Sequence, residues 1–186
     1  MTESDAEIVR RSMKGDAKAF GELFWRHNGA VHAYLARRAG RDVADDLVAE
    51  VWLRAFRSRS KFDLHYPDAR PWLYGISRNV LNSHWRQLTK TPPLEPAAIS
   101  DPWPDLEEHL DENERRAALL KALDSLTVDE REVLLLVAWE QLSAAAIALM
   151  LDIPASTVRN RLHRARVCMR SGLGTDFGVL DREKES

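Results

Sequence analysis

Hydrophobic residues recur at intervals of three and four positions through most of the chain, which is the spacing of one face of an α-helix. In the first half this pattern predicts helices over residues 5–13, 17–39, 42–57 and 69–88. In the second half it predicts helices over residues 106–126, 128–138 and 143–151, and one more that begins near residue 155. No segment alternates polar and apolar residues convincingly, as a half-buried strand does. The sequence therefore predicts an all-α fold.

Several predicted helix ends carry recognisable signals. Asp16 stands where its side chain can cap the second helix, and Gly40 stands where that helix must stop. Thr127 and Glu130 have the spacing of a capping box at the start of a later helix. These residues set the expected limits of the helices that they flank.

Proline divides the chain into two parts. Five of the eight prolines lie between Pro92 and Pro104. A helix cannot continue through such a stretch, because each ring removes an N–H group and restricts the preceding residue. We therefore expect a semi-extended acidic linker over residues 89–105. The predicted domains are residues 1–88 and residues 106–172, with a tail over residues 173–186.

The distribution of charge divides the chain in the same region as the prolines do. The 27 basic and 29 acidic side chains give a formal net charge of −2, which excludes a nucleic-acid binder that is basic throughout. Residues 1–90 carry a net charge of +5, residues 91–130 carry −8 and residues 131–186 carry +1. The segment from Ile153 to Gly172 has five arginines and no acidic residue. Two basic parts are thus separated by an acidic one.

Several classes of protein do not fit the sequence. The longest apolar runs, over residues 133–139 and 144–151, are well short of the ~18 residues that a membrane-spanning helix needs. The acidic N-terminus is unlike a secretory signal, and the lone Cys168 excludes an internal disulfide. No HExxH, P-loop, GxGxxG or Glu-x-x-His pattern occurs. We expect a soluble cytoplasmic protein that is not an enzyme, uses no metal or other cofactor and does not insert into a membrane.

The last two predicted helices have the pattern of a helix-turn-helix. A short helix is followed by the turn Asp152-Ile153-Pro154 and then by a basic helix. That helix has an apolar face and a basic face, formed respectively by Val158, Leu162, Ala165 and Met169, and by Arg159, His163, Arg166 and Arg170. Arginine recognises guanine and asparagine recognises adenine in the major groove, so Arg159 and Asn160 are candidates for base contacts. The alternative, a solvated surface helix, leaves the absence of acidic residues unexplained.

Residues 153–166, which read IPASTVRNRLHRAR, resemble the C-terminal promoter-reading helix of bacterial sigma factors, and specifically those of the extracytoplasmic-function (ECF) group. Four further segments resemble other parts of that family in the same order. They are the N-terminal start, the core-polymerase-binding helix, the segment that melts and reads the −10 element, and the entry to the second domain, over residues 15–20, 45–56, 71–79 and 123–133.

The resemblance assigns −35 recognition to the last helix. It implies that Arg159, Asn160 and His163 read base edges in the −35 major groove. The residues that it implies as phosphate contacts are Ser156, Thr157, Arg161, Arg164 and Arg166. Such contacts set the register of a protein on DNA without reading sequence.

The resemblance assigns recognition of the unpaired −10 strand to the first domain. The candidate residues in the loop before the fourth helix are Lys61, Phe62, His65 and Tyr66. Those along the helix are Trp72, Arg78, Asn79, Trp85 and Arg86. Unpaired bases are bound by aromatic stacking within a basic groove. The spacing of Trp72 also fits the core, and Trp85 is the better candidate for an exposed aromatic.

The third helix resembles the docking site for core RNA polymerase. Its candidate residues are Asp45, Asp46, Leu47, Val48, Glu50, Trp52, Arg54 and Phe56. A simpler interpretation is a solvated helix face with a pair between Glu50 and Arg54. The acidic linker likewise has two interpretations, a spacer or a segment that mimics nucleic acid in a basic channel of the polymerase.

The partners that the resemblance implies are core RNA polymerase, promoter DNA and an anti-sigma factor. The main alternative is a free-standing helix-turn-helix regulator that binds duplex DNA unaided. A helical di-metal oxidase lacks its ligand pattern, and a pure protein-interaction module leaves the arginine-only segment unexplained. The sequence therefore predicts an ECF sigma factor that directs promoter-specific transcription initiation.

Overall fold

The computed structural model describes residues 3–90 and 113–173, and these residues form α-helices, one short 3-10 turn and the connections between them. The first helices are α1 (Asp5–Met13), α2 (Ala17–Ala39), α3 (Arg41–Ser58) and α4 (Arg70–Lys90), with the 3-10 turn at Arg59–Lys61. The later helices are α5 (Asn113–Asp124), α6 (Val128–Ala138), α7 (Ala144–Leu151) and α8 (Ala155–Leu173). The predicted all-α fold is confirmed.

The chain divides into two compact units, Met1–Pro104 and Asp105–Ser186. Residues 91–105 of the expected linker and residues 174–186 of the expected tail lie outside the described residues. The same holds for residues 106–112, the start of the helix expected over 106–126. Among the helices that are described, none combines the length and the apolar content needed to cross a membrane.

The first unit is a bundle in which α2 packs against α1, α3 and α4, and α3 also packs against α4. Its most deeply buried side chains are Ile8, Val9, Leu23, Val31, Tyr34, Leu35, Val51 and Leu73. The rings of Tyr34 and Tyr74 lie 5.1 Å apart between α2 and α4. Burying a large apolar side chain contributes roughly 1.5–3 kcal/mol, so this shared core fixes how the four helices pack.

Polar contacts determine where α1 ends and α2 begins. The carboxylate of Asp16 accepts hydrogen bonds from the N–H groups of Lys18 and Ala19, at 3.0 and 3.2 Å, which confirms Asp16 as the N-cap of α2. Its other oxygen pairs with Arg11 at 2.7 Å, and this hydrogen bond helps to lower the pKa of Asp16. Gly40 ends α2 with φ at +83°, a conformation that favours glycine.

In the second unit, α8 packs against α5, α6 and α7. The buried side chains include Leu123, Val133, Leu136, Ile147, Val158, Leu162, Ala165 and Met169. The predicted apolar stripe of the last helix is therefore confirmed. The capping box is confirmed as well, because Thr127 Oγ1 accepts from the Glu130 N–H while Thr127 donates to the Glu130 carboxylate through both its hydroxyl and its N–H.

The turn between α7 and α8 is tight. Asp152 ends α7 in the left-handed conformation, with φ at +54°, and the Ile153 N–H then donates to the Ala148 carbonyl at 3.1 Å. The carbonyl of Pro154 accepts from Thr157 and Val158 and so begins α8. The predicted helix-turn-helix is present, with α8 as its second helix.

Candidate nucleic-acid interface

The outer face of α8 is basic and polar. Arg159, Asn160, His163 and Arg164 are exposed, whereas Val158 on the opposite face is fully buried. Ser156 is exposed and Thr157 half-buried in the first turn. The helix therefore offers guanidinium, amide and imidazole groups to a ligand, while its packing against three other helices keeps them on one rigid element. Such a face can donate hydrogen bonds to base edges and phosphates.

Two of the expected phosphate contacts on α8 are placed differently from the others. The guanidinium of Arg161 lies 2.5 Å from the carboxylate of Asp129 in the first turn of α6. Arg166 is half-buried, and its Nε is buried without a hydrogen-bond partner. In this conformation Arg161 is already paired with an acid. Its expected contact with a phosphate therefore requires that the pair with Asp129 opens or is shared.

Lys61, the last residue of the 3-10 turn, is exposed, and so are His65 and Tyr66 in the loop between this turn and α4. Phe62 does not follow this pattern, because its ring is 6% exposed and packs against Trp72, with the ring centroids 5.2 Å apart. The structure thus corrects the expected placement of Phe62: its ring lies in the core beneath the loop and not where a base can stack on it. Trp72 is half-buried in the same contact, as its helical spacing indicated.

A carboxylate shapes the exposed part of this loop. Asp63 Oδ1 accepts a hydrogen bond from the His65 N–H at 3.0 Å and lies 2.7 Å from His65 Nδ1. The backbone and imidazole of His65 lower the pKa of Asp63. The Tyr66 N–H in turn donates to the Asp63 carbonyl at 3.1 Å. These bonds close a tight turn that presents His65 and Tyr66 to solvent.

An open pocket of about 470 Å³ lies on α4, lined by Asn79, Asn82, Trp85 and Arg86. Trp85 is exposed, as expected, and its ring contacts that of His84. Arg86 donates through Nε to the Asn82 carbonyl at 3.2 Å. Arg78 lies on the same helix and is half-buried. An amide, an indole and a guanidinium around one pocket can stack on an unpaired base and hydrogen-bond to it.

Sequence reasoning missed Asn82. The available signal was its position on α4, three residues after Asn79 and four before Arg86, which places all three on one helix face.

The expected polymerase-binding residues of α3 divide between surface and core. Asp45, Asp46 and Phe56 are exposed, and Val48, Glu50 and Arg54 are half-buried. Leu47 and Trp52 are buried, and Trp52 donates through its indole N–H to Asn28 on α2 at 2.9 Å. Glu50 pairs with Arg54 at 2.6 Å, as the simpler interpretation of this face expected.

The most exposed tryptophan, tyrosine or phenylalanine among residues 3–90 escaped the sequence analysis. Trp25 on α2 is 82% exposed, with its ring against Phe24 at 5.4 Å. Phe24 in turn contacts Trp52 at 5.1 Å. The signal was a tryptophan one position off the apolar stripe of α2.

No group of three or more His, Cys, Asp or Glu side chains in the described part of the chain has an arrangement that could hold a metal ion.

Two family models match the chain, one in each unit. The model described as Sigma-70 region 2 matches residues 23–91, and the one described as Sigma-70, region 4 matches residues 116–169. The first match contains α4 and the loop over residues 62–69 that precedes it, which is the candidate −10 loop, and the second contains the helix-turn-helix.

Relatives and solved structures agree with these models. The ECF RNA polymerase sigma factor SigM of Mycobacterium tuberculosis is 32% identical over 92% of this chain and 85% of its own length. The ECF RNA polymerase sigma-E factor of Haemophilus influenzae is 31% identical over 88% of this chain and 92% of its own. The structure of CnrH, in complex with the cytosolic domain of CnrY, has a TM-score of 0.64 at 26% identity and covers 92% of this chain and 98% of that one. The chain therefore belongs to the sigma-70 family, within its extracytoplasmic-function group.

Proposed function

We propose that this ECF sigma factor binds core RNA polymerase and selects promoters by reading the −35 element with α8 and the −10 element with the loop and α4 of the first unit. The observation that carries the proposal is the outer face of α8. It presents Arg159, Asn160 and His163 together on a helix that begins directly after a tight turn. Sigma factors are initiation factors without enzymatic activity, and the chemistry takes place in the polymerase.

At the −35 element, α8 enters the major groove with its N-terminal half foremost, as the second helix of a helix-turn-helix does. Arg159 donates to the O6 and N7 atoms of a guanine, and Asn160 pairs with the edge of an adenine. Ser156, Thr157 and Arg164 bind phosphates on either side and set the register. Arg161 binds a phosphate once its pair with Asp129 opens or is shared, and Arg166 does so once its half-buried side chain moves outward.

At the −10 element, the first unit binds bases that have left the duplex. His65 and Tyr66 offer exposed rings on the loop, and Asn79 with Trp85 offers an amide and an indole on α4. Stacking on an aromatic side chain contributes about 1–3 kcal/mol per base. Capture of the displaced bases therefore favours the open form of the promoter.

Two proteins are proposed to contact the sigma factor. Core RNA polymerase binds the exposed residues of α3, among them Asp45, Asp46 and Phe56. An anti-sigma factor occludes these surfaces in uninduced cells. Support comes from CnrH, whose structure contains the cytosolic domain of a second protein, CnrY. We place both events in the cytoplasm.

Run-off transcription on a pool of genomic promoters tests the proposal. Purified core polymerase is assayed alone, with the wild-type chain and with the variant Arg159→Ala. We expect the wild type to select start sites that core alone does not use, and the variant to lose preference at one −35 base pair. No selection above core alone contradicts the proposal. Tight, polymerase-independent binding of a symmetric dimer to duplex DNA points instead to a free-standing regulator.

A further inference from the structure

The first residue of α1 is a buried acid whose carboxylate has three hydrogen-bond donors. Asp5 is only 4% exposed. Its Oδ1 accepts from Arg26 at 2.6 Å, and its Oδ2 lies 2.7 Å from His27 Nε2 and accepts from the Ala69 N–H at 2.9 Å. Burial raises the pKa of Asp5, but the bonds from His27, Ala69 and Arg26 outweigh it and leave the pKa below its ordinary value. The group is therefore an ionised carboxylate, which only accepts hydrogen bonds.

These bonds converge on one short piece of backbone. Besides accepting from Ala69, Asp5 donates its own N–H to the Pro67 carbonyl at 3.0 Å. Residues 67–69 are the last ones of the −10 loop, and α4 begins at Arg70. One residue on α1 thus contacts the end of the loop from both its backbone and its side chain, while His27 connects the same carboxylate to α2.

The opposite end of the loop is secured separately. Phe62 is buried against Trp72 of α4, and Asp63 closes the turn that carries His65. The exposed residues His65 and Tyr66 therefore lie between two anchors, an aromatic contact before them and the Asp5 contacts after them. Preorganisation of this kind lowers the ordering cost of binding a ligand.

Stability alone is a weak explanation for a carboxylate at this position. A buried ion pair contributes little net stability compared with well-packed apolar groups, because its desolvation cost offsets much of the attraction. Asp16 offers an internal comparison. It caps α2 and pairs with Arg11, and its bonds with Arg11, Lys18 and Ala19 join α1 to α2, away from the −10 loop.

We propose that Asp5, supported by His27, is a positioning residue for −10 recognition: its hydrogen bonds to the backbone of residues 67–69 hold the loop in the conformation that receives the unpaired strand. This inference rests on the proposed reading of the −10 element by the loop. It assigns to α1 a role in promoter opening, although Asp5 itself does not touch DNA.

The test compares Asp5→Ala with Asp16→Ala in the polymerase holoenzyme. Each variant removes one carboxylate that has several donors: Asp5 lies in the first turn of α1, and Asp16 is the N-cap of α2. Opening is followed by the fluorescence of 2-aminopurine placed in the −10 non-template strand, and assembly by affinity for core polymerase. Losing a charged hydrogen bond corresponds to about a tenfold change. We expect Asp5→Ala to lower the equilibrium constant for opening about tenfold at unchanged affinity for core, and Asp16→Ala to lower the melting temperature comparably without this defect.

Equal opening defects in the two variants at equal loss of melting temperature overturn the inference, and so does normal opening by Asp5→Ala. If Asp5→Ala does not fold, a second pair decides. His27→Gln keeps an N–H donor near Nε2, whereas His27→Leu removes it. We expect His27→Gln to open the promoter as the wild type does and His27→Leu to open it less. Equal opening by the two variants contradicts the role of this contact. If the wild-type chain itself opens no promoter, the proposed function fails first.

Discussion

The two candidate DNA-reading surfaces are built in different ways. On α8 every candidate side chain comes from one helix, and the buried Val158 and Leu162 lie behind the exposed Arg159 and His163. In the first unit the candidates come from a loop and from α4. Two buried residues hold the loop at its ends: Phe62 packs against Trp72, and Asp5 accepts a hydrogen bond from the Ala69 N–H.

This difference matches the two ligands. A DNA duplex is a stiff object whose groove admits a helix, so a single rigid element can read it. An unpaired strand has no fixed shape, and the protein has to supply the geometry through several elements. We therefore expect substitutions in the second unit to separate cleanly into effects on the core and on recognition, whereas in the first unit buried residues also affect recognition.

The largest expected effect concerns the core behind α8. Ile147 on α7 is fully buried, so Ile147→Ala is expected to lower the free energy of unfolding of the second unit by about 2–5 kcal/mol. Leu149 on the same helix is 45% exposed, and Leu149→Ala serves as the control, with an expected loss within about 0.5 kcal/mol. Urea denaturation followed by circular dichroism measures both. Similar losses for the two variants contradict the packing of α7 described above.

A substitution on the exposed face of α8 is expected to change DNA recognition without changing the stability of the second unit. Arg159→Ala is expected to weaken binding to the cognate −35 element by about 1–3 kcal/mol and to relax the preference at one base pair. The free energy of unfolding should stay unchanged, because Arg159 is exposed. Affinities for a set of −35 variants, each with one base pair changed, provide the measurement, and Arg170→Ala near the end of α8 is the control. Uniform weakening across the set makes Arg159 a phosphate contact.

How far the sequence predicted each surface follows from the same difference. The periodicity of α8 sorts its residues into a buried and an exposed set, so the sequence alone placed Val158 inside and Arg159 outside. The limits of α6 were predicted equally well, because Thr127 is a local capping residue, and α1 and α7 begin within one residue of their expected starts. Local signals suffice wherever one helix determines the outcome.

The first unit shows where local signals end. Phe62 was expected at the surface, but its burial results from a contact with Trp72 ten positions away. The contact from Asp5 to Ala69 spans 64 positions, and no periodicity indicates it. Trp25 is exposed on α2, and the hydrophobic pattern of that helix does not indicate a partner for its ring. Tertiary contacts decide the positions of Phe62 and Asp5, and a single sequence does not encode them in any short-range pattern.

A smaller effect is expected at the matched capping boxes of the two units. Ser4 with Glu7 begins α1, and Thr127 with Glu130 begins α6. Thr127→Ala is expected to cost ~1 kcal/mol of stability, whereas Thr127→Ser keeps the hydroxyl and costs less. Urea denaturation of the second unit's transition measures both. Equal losses from Ala and Ser indicate that the hydroxyl is not the stabilising group.

The same capping box gives a pH dependence. The hydroxyl and the N–H of Thr127 lower the pKa of Glu130 below its ordinary value of 4.5. A carboxyl with a lowered folded-state pKa stabilises fully above its unfolded value and loses that contribution as the pH falls through the folded-state value. Glu130→Gln is therefore expected to flatten the loss of stability below pH 4.5. An unchanged acid limb in denaturation curves taken across this range contradicts it.

The smallest expected effect concerns the pair between Asp129 on α6 and Arg161, a candidate DNA contact on α8. Asp129→Asn is expected to free Arg161 for a phosphate, raise affinity for nonspecific duplex a few fold and steepen its dependence on salt by about 0.9 in log–log slope. Asp124→Asn is the control, because it removes the same charge from a residue that pairs with Arg131 and not with Arg161. Fluorescence anisotropy at several salt concentrations distinguishes the two. Equal gains in affinity for both variants mean that the effect comes from net charge. A steeper salt dependence for Asp129→Asn alone means that Asp129 on α6 weakens the binding of α8 to nonspecific DNA.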